Sequence, residues 1–179
     1  MIRSALPEVP IFQNLTRDQI EELSTWLRRQ EYAPNQEVFP EGSPPDGLYV
    51  VARGEVTVLR STTGGPCEIT HLEGPCVFGE MALVNDQPHS AGVRAVTRVI
   101  TGFLPREVFD EKLAEHSVTA NRIVLHLCQV LCQRLRDTTS RLLRLSELCL
   151  RPEPTAEGQA RVTRELHRLC QQVLEGTQK

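Results

Sequence analysis

The spacing of apolar residues changes along the chain, and each change predicts a different kind of element. The first pattern is a helix over residues 16–30, whose apolar residues recur at steps of three and four: Ile20, Leu23 and Leu27. Thr16 is suited to cap this helix, and Gln19 stands three residues later, as in a capping box. Pro34 excludes a much longer helix.

Between residues 37 and 104 the pattern is that of short strands separated by glycines. Residues 55–58 alternate polar and apolar side chains, and residues 48–51 form a short apolar run. A turn is expected at residues 63–66, where two glycines precede a proline. Several short strands at this spacing predict a β-sandwich or barrel.

A long helix is predicted over residues 118–150, which contain no glycine. Its apolar seam follows steps of four and three, as in a heptad repeat: Val124, Cys128, Leu131, Leu135, Thr138, Leu142, Leu145 and Cys149. Such a seam packs either on the chain's own barrel or on a parallel second copy. A second apolar face, at Ile123, Leu127 and Val130, favours the dimer, since one face can meet the barrel and the other the partner.

Pro152 and Pro154 end that helix, and residues 156–175 predict a shorter amphipathic helix. We therefore divide the chain into a helical N-terminal segment (1–36), a β-domain (37–117), a long dimerisation helix (118–151) and a C-terminal amphipathic helix (152–179).

Composition is compatible with a folded domain, because 40% of the 179 residues are hydrophobic and 24% are charged. Residues 1–118 carry ten Lys and Arg against seventeen Asp and Glu, a net charge of −7, whereas residues 119–151 carry six against two, a net of +4. Because no aromatic residues accompany the arginines of the long helix, we interpret it as a solvated flank of the seam, not as a DNA-binding arm.

Six cysteines without a paired framework spacing predict reduced thiols, not a disulfide scaffold. With neither a secretory leader nor a membrane-spanning stretch expected, the sequence predicts a cytoplasmic protein. His126, Cys128 and Cys132 lie on neighbouring helical positions, but we expect buried apolar cysteines there and no metal site.

Residues 77–93, VFGEMALVNDQPHSAGV, contain the candidate chemistry. Gly79 permits close backbone approach, and a short helix after it would present free N–H groups to an anion. Glu80 could accept hydrogen bonds from a pair of hydroxyls, and His89 and Ser90 could approach from the next strand. These groups together suit a ligand that combines a phosphate with a sugar.

The strings FGEMAL at 78–83 and PHSA at 88–91 resemble the phosphate-binding cassette of cyclic nucleotide-binding domains. Glycines and apolar residues over 41–56 match the framework of that family. The segment 93–95 and the long helix are similar to the bacterial cAMP receptor branch, so that the resemblance covers roughly residues 10–150.

The resemblance implies a mainly β fold, a β-roll of jelly-roll type, followed by a long dimerisation helix. It implies that the cassette amides hold the cyclic phosphate and that Glu80 binds the ribose 2′-hydroxyl. Thr138 and Thr139 would contact adenine, one from each subunit; alternatively, Thr138 is a tolerated seam residue and Thr139 is exposed. The candidate ligand-binding residues are Phe78, Gly79, Glu80, Met81, Ala82, His89, Ser90, Thr138 and Thr139.

One departure from the family pattern concerns His89, which stands where the family has an arginine that pairs with the phosphate. A histidine lacks the permanent charge and the bidentate fork of a guanidinium. Losing a charge-assisted hydrogen bond costs about 1.5–3 kcal/mol, which corresponds to roughly ten- to a hundredfold in affinity. Alternatively, the pocket has lost its ligand and His89 occupies an unused position.

The sequence thus predicts a stand-alone regulatory protein that binds cAMP in preference to cGMP, needs no other cofactor and is not an enzyme. It is expected to form a homodimer through residues 118–150 and to signal to an unknown downstream protein. Residues 151–179 are too few for the winged helix-turn-helix of the bacterial branch, so neither DNA nor membrane binding is expected. The alternative is a degenerate, nucleotide-free domain that acts as a dimeric interaction scaffold.

Overall fold

The computed structural model describes residues 1–150 and, beyond them, Thr163, Arg164 and Arg168. The helix predicted at residues 156–175 lies outside the described residues, apart from those three, which are helical. The chain divides into two compact units, Met1–Cys128 and Gln129–Lys179. Among the described residues, no helix combines the length and the apolar character that crossing a bilayer requires.

The N-terminal segment begins with helix α1 (Ile2–Ala5) and two 3-10 turns, Leu6–Glu8 and Pro10–Phe12, before helix α2 (Arg17–Trp26). The predicted capping box is confirmed: the Thr16 hydroxyl accepts from the Gln19 amide, and the Gln19 side chain accepts from the Thr16 amide.

Helix α2 is shorter than predicted, because the chain leaves the helical conformation at Leu27 and enters strand β1 (Arg28–Tyr32). The prediction of a helix to Gln30, and of a wholly helical segment over 1–36, is therefore wrong. Strand β1 pairs with the strand at residues 99–105, from Arg28 opposite Phe103 to Tyr32 opposite Val99. Its polar residues Arg28, Arg29 and Gln30 carry no apolar alternation, so the tertiary pairing and not the local pattern determines this strand.

Seven further strands complete two antiparallel four-stranded sheets, as the predicted roll requires: β2 (Glu37–Phe39), β3 (Gly47–Arg53), β4 (Glu55–Thr62), β5 (Gly65–Glu73), β6 (Cys76–Phe78), β7 (Gly92–Ala95) and β8 (Val99–Pro105). One sheet has the order β1-β8-β3-β6 and the other β2-β7-β4-β5. The turn predicted at residues 63–66 joins β4 to β5, with Thr62 opposite Gly65.

The core of the roll contains inward-facing side chains from both sheets, and its buried members are Phe39, Tyr49, Val51, Val56, Phe78, Val93, Ala95 and Val99. The aromatic residues of this core surround Tyr49. Its ring centroid lies 5.4 Å from that of Phe39, 5.0 Å from that of Phe78 and 4.7 Å from that of Phe103. Each sheet buries one face against the other sheet, and its outer face therefore tolerates polar residues.

Helix α3 (Arg106–Ala114) follows β8 directly, and helix α4 (Val118–Leu150) has the bounds predicted for the long helix. Ile123 and Leu127, on the predicted second face, are fully buried. His126 Nδ1 lies 3.2 Å from the Ile11 carbonyl oxygen, and the Arg122 guanidinium donates to the Gln19 side chain. The first turns of α4 are therefore attached to the N-terminal segment.

Candidate functional site

The cassette, defined as residues 78–91, connects β6 to β7 through a 3-10 helix, Glu80–Leu83. Gly79 has φ +74°, which glycine adopts far more readily than an L residue. A Cβ on Gly79 would also lie 2.8 Å from the Gly47 carbonyl oxygen. The Gly79 backbone thus packs closely on Gly47, and the Ala82 amide closes the turn by donating to the Gly79 carbonyl at 3.0 Å.

The cassette brings several predicted ligand residues together, with different exposures. Glu80 and Ala82 are buried, with 8% and 3% of their surface exposed, whereas Met81 is 48% exposed. Ser90 is exposed, and the His89 side chain is only 7% exposed. A buried carboxyl group beside a backbone turn is an arrangement that can recognise hydroxyl groups of a bound molecule.

Phe78 lies in the core of the roll. Its ring stacks on Tyr49 at 5.0 Å with a 10° interplanar angle, and the Phe39 ring is 5.8 Å away. With 4% exposure, Phe78 positions the start of the cassette by packing.

His89 is held by groups that the sequence did not single out. Its Nε2 is 3.1 Å from Asp46 Oδ1, and its ring stacks on Phe39 with centroids 3.9 Å apart and an interplanar angle of 19°. The Tyr49 hydroxyl donates to the other oxygen of the same carboxylate, Asp46 Oδ2, at 2.5 Å. The Cε1 atom of His89, which lies between the two ring nitrogens, would be 3.8 Å from a Cβ on Gly79.

Burial is the main cause that raises the pKa of Tyr49, and its hydrogen bond to Asp46 raises it further. Burial and the nearby Asp46 also raise the pKa of Tyr32 to about 12. Tyr49 therefore keeps its hydroxyl proton at neutral pH, and this hydroxyl donates to one oxygen of Asp46.

Arg106, the first residue of α3, connects the far end of the cassette to that helix. Its guanidinium donates to the Asn85 carbonyl at 2.8 Å and pairs with Asp86 at 2.5 Å and Asp110 at 3.4 Å. Its backbone amide donates to the Asp46 carbonyl at 2.8 Å. Arg106 thus contacts both the cassette and the residue that holds His89.

Thr138 and Thr139 lie on α4 in the second compact unit, and both are exposed in the single chain. The Thr139 hydroxyl donates to the Leu135 carbonyl at 2.8 Å, one helical turn back. The predicted adenine contact of these two residues stays a prediction.

The cysteines differ in exposure and reactivity. Burial raises the pKa of Cys76 to about 12, so this thiol is unreactive at neutral pH. Cys128 and Cys132 are exposed, and the prediction that they are buried is wrong for the single chain, because the face of α4 that packs on the N-terminal segment contains Ile123 and Leu127 instead. Within the described part of the chain, no group of three His, Cys, Asp or Glu side chains is arranged to hold a metal ion.

Asp46 and Tyr49 are the site residues that the sequence did not reveal. Asp46 lies 43 positions before His89, and only the fold brings the two together. The sequence did contain one signal for Asp46. It is an acidic residue directly before Gly47, where an apolar strand begins.

Comparison with known proteins gives one family: residues 29–116 match the model described as cyclic nucleotide-binding domain. A cAMP-dependent protein kinase regulatory subunit from Colletotrichum orbiculare is 31% identical over 113 residues, which are 63% of this chain and 28% of that protein. A CRP-like cAMP-activated global transcriptional regulator from Mycobacterium tuberculosis is 26% identical over 175 residues, 97% of this chain and 72% of that protein. The chain thus spans less than a third of the kinase subunit's length.

Solved structures give the same result. The catabolite activator protein of Thermus thermophilus superposes with a TM-score of 0.69 at 27% identity, over 76% of this chain and 63% of that one. The N-terminal domain of a transcriptional regulator from Streptomyces coelicolor superposes with a TM-score of 0.66 at 26% identity, over 77% of this chain and 94% of that one.

Proposed function

Because residues 29–116 belong to the cyclic nucleotide-binding domain family, we propose that this chain is a regulatory protein that binds cAMP at the cassette and signals through a pair of α4 helices. The observation that carries the proposal is the arrangement at Gly79, where a turn that favours glycine is followed by buried Glu80 and lies next to the His89 ring.

In this proposal the cyclic phosphate lies against the cassette backbone and His89, and Glu80 accepts hydrogen bonds from the ribose. Ser90 is exposed beside His89 and supplies a neutral donor. Relative to an arginine, His89 weakens the phosphate contact by about 1.5–3 kcal/mol when it is neutral, which leaves binding by the other groups intact. Thr138 and Thr139 of the paired α4 helices supply the preference for adenine, and cGMP binds less tightly.

Dimerisation through α4 is supported by the exposure of its seam. Leu135 is 68% exposed and Leu142 55% exposed, although both lie seven residues apart on one face of the helix. Ligand binding would act by favouring one of two arrangements of the paired helices, which a downstream protein then recognises.

A nucleotide-free interaction scaffold is the second candidate, and one observation favours it. His89 stands in place of the family's arginine and already has a hydrogen-bond partner in Asp46. In that case the His89–Asp46 pair is a structural contact, and the cassette has no ligand.

Thermal unfolding with cAMP, cGMP and 5′-AMP distinguishes the two candidates. A ligand that binds only the folded state stabilises it by about 2.7 kcal/mol at about 100 times its Kd, which is a rise in Tm of about 5–10 °C for a chain of this size. We expect cAMP to give the largest rise and 5′-AMP none. His89→Arg should increase the rise, because it restores a permanently charged fork. No rise with millimolar cAMP or cGMP, for either the natural chain or His89→Arg, would contradict nucleotide binding and favour the scaffold.

A further inference from the structure

The hydrogen bond between His89 and Asp46 determines which imidazole nitrogen carries the proton. Asp46 Oδ2 accepts a hydrogen bond from the Tyr49 hydroxyl, and Nε2 of His89 is 3.1 Å from Oδ1. An ionised carboxylate only accepts hydrogen bonds, so Nε2 must be the donor. In neutral His89, Nδ1 therefore has no proton and presents a lone pair.

The second nitrogen, Nδ1, is the one left for a ligand. The hydrogen bond of the His89 side chain to Asp46 uses Nε2 and not Nδ1, and the side chain as a whole is 7% exposed. A lone pair cannot donate to a phosphodiester, whose exocyclic oxygens are acceptors. Only an imidazolium has a second N–H to donate to these oxygens.

We propose that Asp46 is a positioning residue that holds Nε2 of His89, so that His89 contacts the nucleotide phosphate only as an imidazolium and each bound nucleotide takes up one proton. This inference rests on the proposed function. The balance is simple: neutral His89, one proton from solvent and the phosphodiester anion form an imidazolium–phosphate pair, with Nε2–H on Asp46 and Nδ1–H on the phosphate.

The charged and titratable groups around His89 are consistent with this role. Asp46 contributes one negative charge from the loop before β3, and Tyr49 remains a neutral hydroxyl bonded to it. Glu80 lies beside Gly79 in the cassette, and the Arg106 guanidinium is engaged by Asp86 and Asp110. The stack on Phe39, at 3.9 Å, also favours a cationic ring.

Isothermal titration with cAMP tests the inference through its pH profile and its proton count. Because only the imidazolium form of His89 donates to the phosphate, we expect the affinity for cAMP to be higher at pH 5.5 than at pH 8. The binding enthalpies measured in phosphate and in Tris at pH 8 should differ, because each binding event takes up protons from the buffer.

Two variants distinguish a positioning role of Asp46 from a purely structural one. His89→Arg, which is charged at both pH values, should bind cAMP with little pH dependence and no proton uptake. Asp46→Asn can still accept from Nε2 but removes the charge opposite the imidazolium, so we expect an affinity several-fold lower at pH 5.5 than in the natural chain. The same change at exposed Asp18, on α2, is the matched control and should leave affinity unaltered.

The outcomes distinguish this inference from the function it rests on. Binding by the natural chain with equal affinity at both pH values and no proton uptake overturns the inference and leaves the proposed function standing. Binding by His89→Arg, with none by the natural chain at pH 5.5, also overturns it. Absence of binding by both chains at every pH overturns the proposed function itself.

Discussion

Gly79 is the residue on which the shape of the cassette depends most directly. An alanine there would place an L residue at φ +74°, which costs roughly 1–2 kcal/mol, and its Cβ would lie 2.8 Å from the Gly47 carbonyl oxygen. We expect Gly79→Ala to reduce cAMP affinity at least tenfold and to lower Tm. Gly65→Ala is the control, because it also has positive φ, at +107°, but its Cβ would meet no atom within 4 Å. Equal losses of affinity in the two variants, measured by calorimetry, would contradict a specific role for Gly79.

At this scale the sequence could single out candidate residues that lie close together along the chain. Gly79 and Glu80 stand next to each other, and His89 follows in the same segment, so their pattern is visible in one stretch. Asp46 is different, since its contact with His89 depends on two loops that meet in space. Phe78 is adjacent to the turn in sequence, but its ring is buried in the core, and its predicted ligand contact stays a prediction.

At the scale of elements, Arg106 links the cassette to α3 through Asn85, Asp86 and Asp110. Its side chain is 22% exposed, whereas Asp86 is 88% exposed, which limits the free energy of the pair to about 1 kcal/mol. We expect Arg106→Gln to speed amide exchange several-fold in residues 84–88, because the loop loses its bonds to α3. Arg98→Gln, which removes an exposed pair with Glu31 on the roll, is the control and should leave those amides unchanged. Unaltered exchange in both variants would show that the loop is held by other contacts.

The elements themselves were predictable where one local signal dominates. The capping box at Thr16 fixes the start of α2, and alternation or glycine placement fixes the hairpin at Gly65. Strand β1 could not be predicted, because Arg28 and Arg29 are exposed and the strand exists only through its pairing with β8. The heptad pattern gave the bounds of α4 correctly, since 33 residues without glycine or proline form a strong and continuous signal.

For the whole molecule, the two faces of α4 argue for a second copy of the chain. Ile123 and Leu127 are buried within the first compact unit, whereas Leu135 and Leu142 of the seam, in the second unit, are exposed. Apolar side chains at heptad spacing are stabilised by a partner helix, and the single chain leaves Leu135 and Leu142 uncovered. The positive charge of the helix does not point to DNA as an alternative partner, because its arginines are distributed around the helix.

The dimer can be tested on the seam itself. Each chain has a mass of 20.1 kDa, and light scattering should give about twice that value for the natural protein. We expect the double variant Leu135→Glu, Leu142→Glu to be monomeric, because burying each leucine contributes about 1.5–3 kcal/mol and the dimer would lose four of them. Leu143→Glu is the matched control, since Leu143 is 61% exposed but lies off the seam.

In a parallel pair Cys128 also faces its counterpart, so mild oxidation should cross-link the natural dimer through Cys128 and fail to cross-link Cys128→Ser at that position. A natural chain that scatters as a monomer at micromolar concentration, with or without cAMP, would refute signalling through paired α4 helices.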